Sequence, residues 1–130
     1  MQVYKNKAFA RFARKEDITD QILCEVISDA EKGKIDADLG GGVIKQRIAR
    51  MNEGKSGGYR TILFYKQANR AFFVFGFSKS DADNITKNEE IAFKKLAAIL
   101  LNLPHSEIMK QVQAKYLIEV ICHDNQKLPE

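Results

Sequence analysis

Histidine is nearly missing from this chain: His105 and His123 are the two copies, and neither falls within the first 104 residues. A conventional His-Glu or His-His acid–base site therefore cannot be assembled in the N-terminal or central parts. Cysteine is as sparse. Cys24 and Cys122 stand far apart without metal-ligand spacing, which speaks against a zinc motif and leads to the expectation of two reduced thiols. Neither a metal nor a cofactor is expected. The opening residues MQVYKNKAFARF contain no apolar signal core, and no apolar run is long enough to cross a bilayer. The chain thus reads as cytoplasmic, without a membrane partner. Proline occurs twice and tryptophan not at all, while hydrophobic residues make up 45% and charged residues 29%. That composition forms a core rather than a disordered chain, and 130 residues read as one domain, 1–130, in which 104–130 stands as a C-terminal extension.

Acidic residues are scarce in one stretch. Between Val43 and Lys79 eight basic residues meet a single acid, Glu53, while the rest of the chain carries thirteen basic and sixteen acidic residues. The net charge of +4 therefore hides a strongly basic segment. A small sheet that collects most of the positive charge suits a polyanion, and RNA is the first candidate.

The pattern of apolar residues orders the rest. Residues 2–5 read as a short strand. Ala8, Phe9, Phe12 and Ala13 are spaced for a helix with Lys7, Arg11, Arg14 and Lys15 on its other side. A second helix, capped by Asp17 or Thr19 and ended by Gly33, carries the stripe Ile18, Ile22, Leu23, Val26, Ile27 and Ala30. The two helices form a hairpin able to cover one sheet face. Residues 38–42 read as a turn, 43–50 as a strand and 51–58 as a loop. Strands at 59–66 and 71–79 are joined by a hairpin turn at 67–70. A helix over 88–102 is expected to be capped by Asp83 or Asn84, followed by a short helix from Pro104 and a last strand in 116–122.

Gly54-Lys55-Ser56 invites a nucleotide-binding reading. It fails, because Ala49 stands where the first glycine of a phosphate loop belongs, and a strand rather than a helix follows. The triplet can still hold a phosphate through the Lys55 ammonium and the Ser56 hydroxyl, or be an ordinary turn. Lys45, Arg47 and Arg60 are expected at adjacent strand ends facing one surface. Phe72, Phe73 and Phe75 read as core, whereas Phe77, beside Lys79 at the strand end, is kept as a candidate for stacking on a base.

These segments resemble a known family. Asp36–Gly42, Lys45-Gln46-Arg47-Ile48-Ala49-Arg50, Gly54-Lys55-Ser56-Gly57-Gly58-Tyr59-Arg60 and Phe73–Lys79, with Asn84-Ile85 and the Leu96–Leu101 helix, are similar to RelE/ParE-type toxins of bacterial type II toxin–antitoxin systems, in particular a HigB-like branch. The resemblance implies an α+β fold: a small curved antiparallel sheet packed against N-terminal helices, with extra C-terminal helices. It also implies a ribosome-dependent mRNA endonuclease, in which a ribose 2′-OH attacks the adjacent phosphate and translation is inhibited. Implied partners are a cognate antitoxin, mRNA and the ribosome. Matched to the family's basic positions, Arg60 would stabilise the transition state and Lys79 or Lys55 would move the proton. Lys45, Arg47, Arg50, Ser56 and Tyr59 would bind RNA. Val43 occupies a position where a further cation is expected. Such chemistry can proceed without histidine, since arginines can hold the extra charge of a pentacoordinate phosphate. Two other readings stay open: a ParE-like inhibitor of DNA gyrase, and a nucleic-acid-binding or regulatory module without activity.

Overall fold

A computed structural model of the chain describes residues 1–50, 54–79 and 84–122, without the side chains of residues 50 and 54–57. Among these residues six strands and four helices follow in the order β1 (Gln2–Asn6), α1 (Lys7–Lys15), α2 (Asp20–Glu31), β2 (Ala37–Gly40), β3 (Val43–Arg50), β4 (Gly54–Lys66), β5 (Arg70–Ser78), α3 (Lys87–Leu100), α4 (His105–Gln113) and β6 (Leu117–Glu119). The strands form one open sheet in the order β2-β3-β4-β5-β1-β6. Its pairs are antiparallel except β1 with β5, which run parallel. The expected α+β architecture is the one observed.

Strand alternation divides the core into two layers. On one face Ile44, Ile48, Tyr59, Leu63 and Phe73 meet Phe9 and Ala13 of α1 and Leu23, Val26 and Ile27 of α2. On the other, Val43, Ile62, Phe64 and Phe72 meet Ala97 of α3 and Ile108 of α4. Both faces of the central strands are therefore buried, which is why β4 and β5 read as apolar runs. A bulge sets how β5 presents its last residues. Ile62 pairs with Phe75 but Leu63 with Phe73, so Val74 is the extra residue. Its carbonyl accepts a hydrogen bond from Asn6 Nδ2 at 3.1 Å, while Asn6 Oδ1 caps α1 by accepting from the Phe9 N–H at 2.8 Å. One asparagine thus ties β1, α1 and the bulge together. Beyond the bulge Gly76 faces α1, where a Cβ would lie 2.4 Å from the Phe12 ring, and Phe77 faces the other way.

Several sequence expectations change. Residues 37–40 form a strand, β2, before the turn. Gly42 closes that turn at φ +84°, a conformation a side chain resists, with its carbonyl accepting from Tyr65 N at 2.8 Å. The stretch 54–58 belongs to β4 rather than to a loop, since backbone pairing to β3, with Gly54 opposite Arg50, outweighs the glycine content. Thr19 rather than Asp17 caps α2. The α3 cap is Thr86, in a reciprocal capping box with Glu89, and not Asn84; Asp83 lies outside the described residues. Cys24 and Cys122 are joined as a disulfide, contrary to the expected free thiols. The last strand brings the tail back over α2, leaving the two Cα atoms 5.8 Å apart, a proximity that their separation of 98 residues concealed.

Candidate nucleic-acid interface

The register of three strands builds the basic surface. Lys45 pairs with Ile62, Arg47 with Arg60, and Arg60 in turn with Phe77. By strand alternation all share the face that carries Val43, Ile62 and Phe64. Arg47 and Arg60 stand directly opposite each other, which places their Cα atoms about 4.5–5.5 Å apart. Lys79 follows β5 and is exposed, its N–H donating to the Gly58 carbonyl at 3.3 Å.

The side chains differ in freedom. Lys45 is half-buried and donates to Asn84 Oδ1 at 3.1 Å, which brings the start of the α3 segment to the basic face. Arg47 is exposed, and its backbone N–H is held by Asp36 Oδ2 at 2.7 Å. Gln46, buried between them on the other face, receives the Asp36 N–H and donates to the Lys34 carbonyl, so the 34–36 loop braces the strand edge. Arg60 is only 9% exposed and is engaged within the chain. Buried packing holds its stem in one place. Phe77 is 6% exposed and tilts against Phe75, which touches Phe93 of α3; it is a support for the basic face rather than an open platform.

Not every expected residue joins. Tyr59 turns to the opposite face, where its ring meets Phe12 edge-on and its hydroxyl donates to Glu16 at 2.8 Å. The one-residue alternation that points Arg60 toward α3 sends Tyr59 toward α1. The side chains of Arg50, Lys55 and Ser56 lie outside the described residues. Two cations of the basic segment sit at the far end of the sheet: Lys66 is exposed beside the β4–β5 turn, and Arg70 donates through Nη1 to the carbonyls of Leu100 at 3.2 Å and Leu103 at 2.6 Å. Arg70 serves as a C-terminal cap for α3, a role that composition alone could not separate from ligand binding. Sequence reasoning missed Asn84 as a partner of Lys45.

On the basic face Arg47 and Lys79 are exposed, Lys45 is half-buried and Arg60 is buried. Two hollows of about 170 and 250 Å3 lie between β3 and α2 and share Ile22, Ile48 and Ala49, and Arg47 also borders the smaller one. Among the described residues no group of three or more His, Cys, Asp or Glu is placed to hold a metal ion, and no helix is long and apolar enough to cross a membrane.

No curated protein matches the chain. The profile of a family described as the RelE toxin of the RelE/RelB toxin–antitoxin system matches residues 1–120. That match spans every strand and helix described above, and the chain belongs to the RelE toxin family.

Proposed function

We propose that the protein is the toxin of a toxin–antitoxin pair, of the HigB-like branch, and that it cuts mRNA on the ribosome and so inhibits translation. The observation that carries this reading is the direct opposition of Arg47 and Arg60, with Lys45 two residues away on the same face. Like charges placed opposite one another cost a sheet stability, and a phosphodiester laid between them turns that cost into attraction. Arg60, packed at its stem, is suited to hold the charge that develops when the 2′-OH attacks the phosphate. Lys45 and Arg47 bind flanking phosphates. Lys79, at the exposed end of β5, is the proton-transfer group, with Lys55 as the other lysine for this role; Arg50 and Ser56 complete the RNA contacts. A ribosome that orients the substrate lowers what the acid–base groups must supply.

The test is expression of the toxin without its partner, followed by mapping of transcript ends. Growth arrest with new 5′ ends inside coding regions is expected. Arrest with intact transcripts and accumulating DNA breaks would favour the gyrase reading instead.

A further inference from the structure

Packing does not explain the polar residues behind the arginine pair. Gln46 and Thr61 stand opposite each other, next to Arg47 and Arg60, on the sheet face that carries Ile44, Ile48 and Leu63. There Gln46 is 3% exposed and Thr61 fully buried. An aliphatic side chain would fill either place and add apolar burial, so a polar one has to be used by hydrogen bonds. The Thr61 hydroxyl donates to the Gln46 carbonyl at 3.0 Å. Gln46 Oε1 accepts from the Asp36 N–H at 2.8 Å, and Nε2 donates to the Lys34 carbonyl at 3.0 Å. Asp36 Oδ2 in turn accepts from the Arg47 N–H at 2.7 Å. The run of bonds therefore starts beside Arg60 and ends on Arg47.

The two arginines need that support unequally. Arg60 lies on a strand paired on both sides and is buried. Arg47 is exposed, and its strand is paired on the outer side only as far as Lys45, opposite Ala37 of β2. Past that point a side chain takes the part of a strand carbonyl. The Asp36 carboxylate meets the Arg47 N–H, and the buried Gln46 amide fixes the backbone that carries the carboxylate. We propose that Gln46 and Asp36 are positioning residues, which hold the Arg47 backbone at a fixed span from Arg60 so that both guanidiniums grip one RNA phosphodiester. The inference rests on the reading of the basic face as an RNA site. Neither residue touches RNA; both act through Arg47. A shift of about 1 Å in the arginine backbone is enough to spoil the alignment that a forked grip requires. Ile35 packs against the core beside these residues, so loss of the Gln46 amide loosens the carboxylate without unfolding the segment. Lys34 and Asp36 are exposed, and their released carbonyl and N–H can turn to water.

The test compares Gln46→Leu, Asp36→Ala, Asp36→Asn, Arg47→Ala and the double variant Gln46→Leu with Arg47→Ala, all in the full chain. Each is read by hydrogen exchange of the residue-47 amide in NMR spectra, by affinity for a labelled uridine oligonucleotide, and by single-turnover cleavage of mRNA on programmed ribosomes. In Gln46→Leu and Asp36→Ala the amide should exchange about tenfold faster, and RNA affinity and cleavage should each fall about tenfold, with the urea midpoint kept near that of the parent. Asp36→Asn retains an accepting oxygen and controls for the lost charge, so it should stay within about threefold of the parent in every reading. In the Arg47→Ala background Gln46→Leu should cost nothing further, because the residue it positions is gone. Losses that add in full in the double variant, or that follow a fallen urea midpoint, overturn the proposal and leave these bonds to the fold alone. If Arg47→Ala weakens RNA binding while Gln46→Leu and Asp36→Ala do not, the positioning role fails and the RNA site stands. If the parent leaves ribosome-bound mRNA intact but the affinities behave as stated, the nuclease reading fails and the positioning role stands. RNA affinity indifferent to Arg47→Ala overturns both.

Discussion

Arg60 and Lys45 share a face yet are held differently, and their substitutions should separate. Arg60→Lys retains the charge but loses the planar fork, so cleavage should fall by about 2–4 kcal/mol of transition-state stabilisation while binding of the ribosome persists. Single-turnover cleavage against binding at saturation measures the difference. Lys45→Ala should instead weaken RNA binding and lower the slope of log affinity against log salt by about one, with cleavage at saturation spared. Gly76 poses a purely steric question. A methyl group there meets the Phe12 ring at 2.4 Å. Gly76→Ala should cost about 1–3 kcal/mol in denaturant unfolding, and Phe12→Leu in the same chain should recover part of it. A sequence shows that residue 76 is glycine but not that an aromatic ring from 64 positions earlier lies against it.

At the scale of elements, α3 is fixed at both ends by side-chain devices: the Thr86–Glu89 box at its start and Arg70 at its close. Arg70→Ala should lower stability by about 1.5–3 kcal/mol, because two carbonyls lose a charged donor. It should leave RNA affinity near that of the parent, which would establish that this cation serves the fold. On the other face, α2 is fastened to β4 where the Tyr65 hydroxyl donates to Glu31. Burial, and then the neighbouring carboxylate, push the Tyr65 pKa well above the usual tyrosine range. A raised pKa means that the folded state holds this proton more tightly, so the stabilisation is complete below about pH 10 and drains away above it. Urea midpoints compared at pH about 8 and about 11 should fall less for Tyr65→Phe than for the parent; Tyr4, also raised by burial, contributes equally to both. Helix positions were legible because Phe9, Ala13, Leu23 and Ala97 recur with the helical period. The α3 cap was misread because Asp83, Asn84 and Thr86 are all competent caps, and only the reciprocal bond to Glu89 chooses among them.

For the whole molecule the largest single constraint is the Cys24–Cys122 bond, which closes a ring spanning 98 residues. Reduction should lower unfolding stability by about 2–5 kcal/mol, read as a shift of the guanidinium midpoint with and without a phosphine reductant; Cys122→Ser should reproduce the shift and then be insensitive to reductant. The basic face was readable from strand alternation, since Lys45 and Arg47 stand two residues apart and Arg60 faces Arg47 once the hairpin pairs them. The same alternation sends Tyr59 to the face opposite Arg60, so its place away from the basic face follows from the strand pattern alone. The disulfide and the role of Arg70 arise from contacts between distant segments, where local pattern carries no signal, while β2 is hidden by its glycine-rich sequence and forms through its hairpin with β3.

The place of β1 in the sheet also has a consequence for how the chain is made. Gln2 lies beside Arg70 and Asn6 beside Leu117, so the first strand to be synthesised is flanked by two of the last. At ordinary rates of translation roughly 3–14 s separate Gln2 from Arg70. During that interval Val3 and Tyr4, both buried in the finished molecule, have no sheet to enter. Nor do α1 and α2 yet have their full floor. The nascent chain therefore cannot complete its architecture piece by piece from the N-terminus, and a product cut short before residue 117 would lack one side of its own first strand.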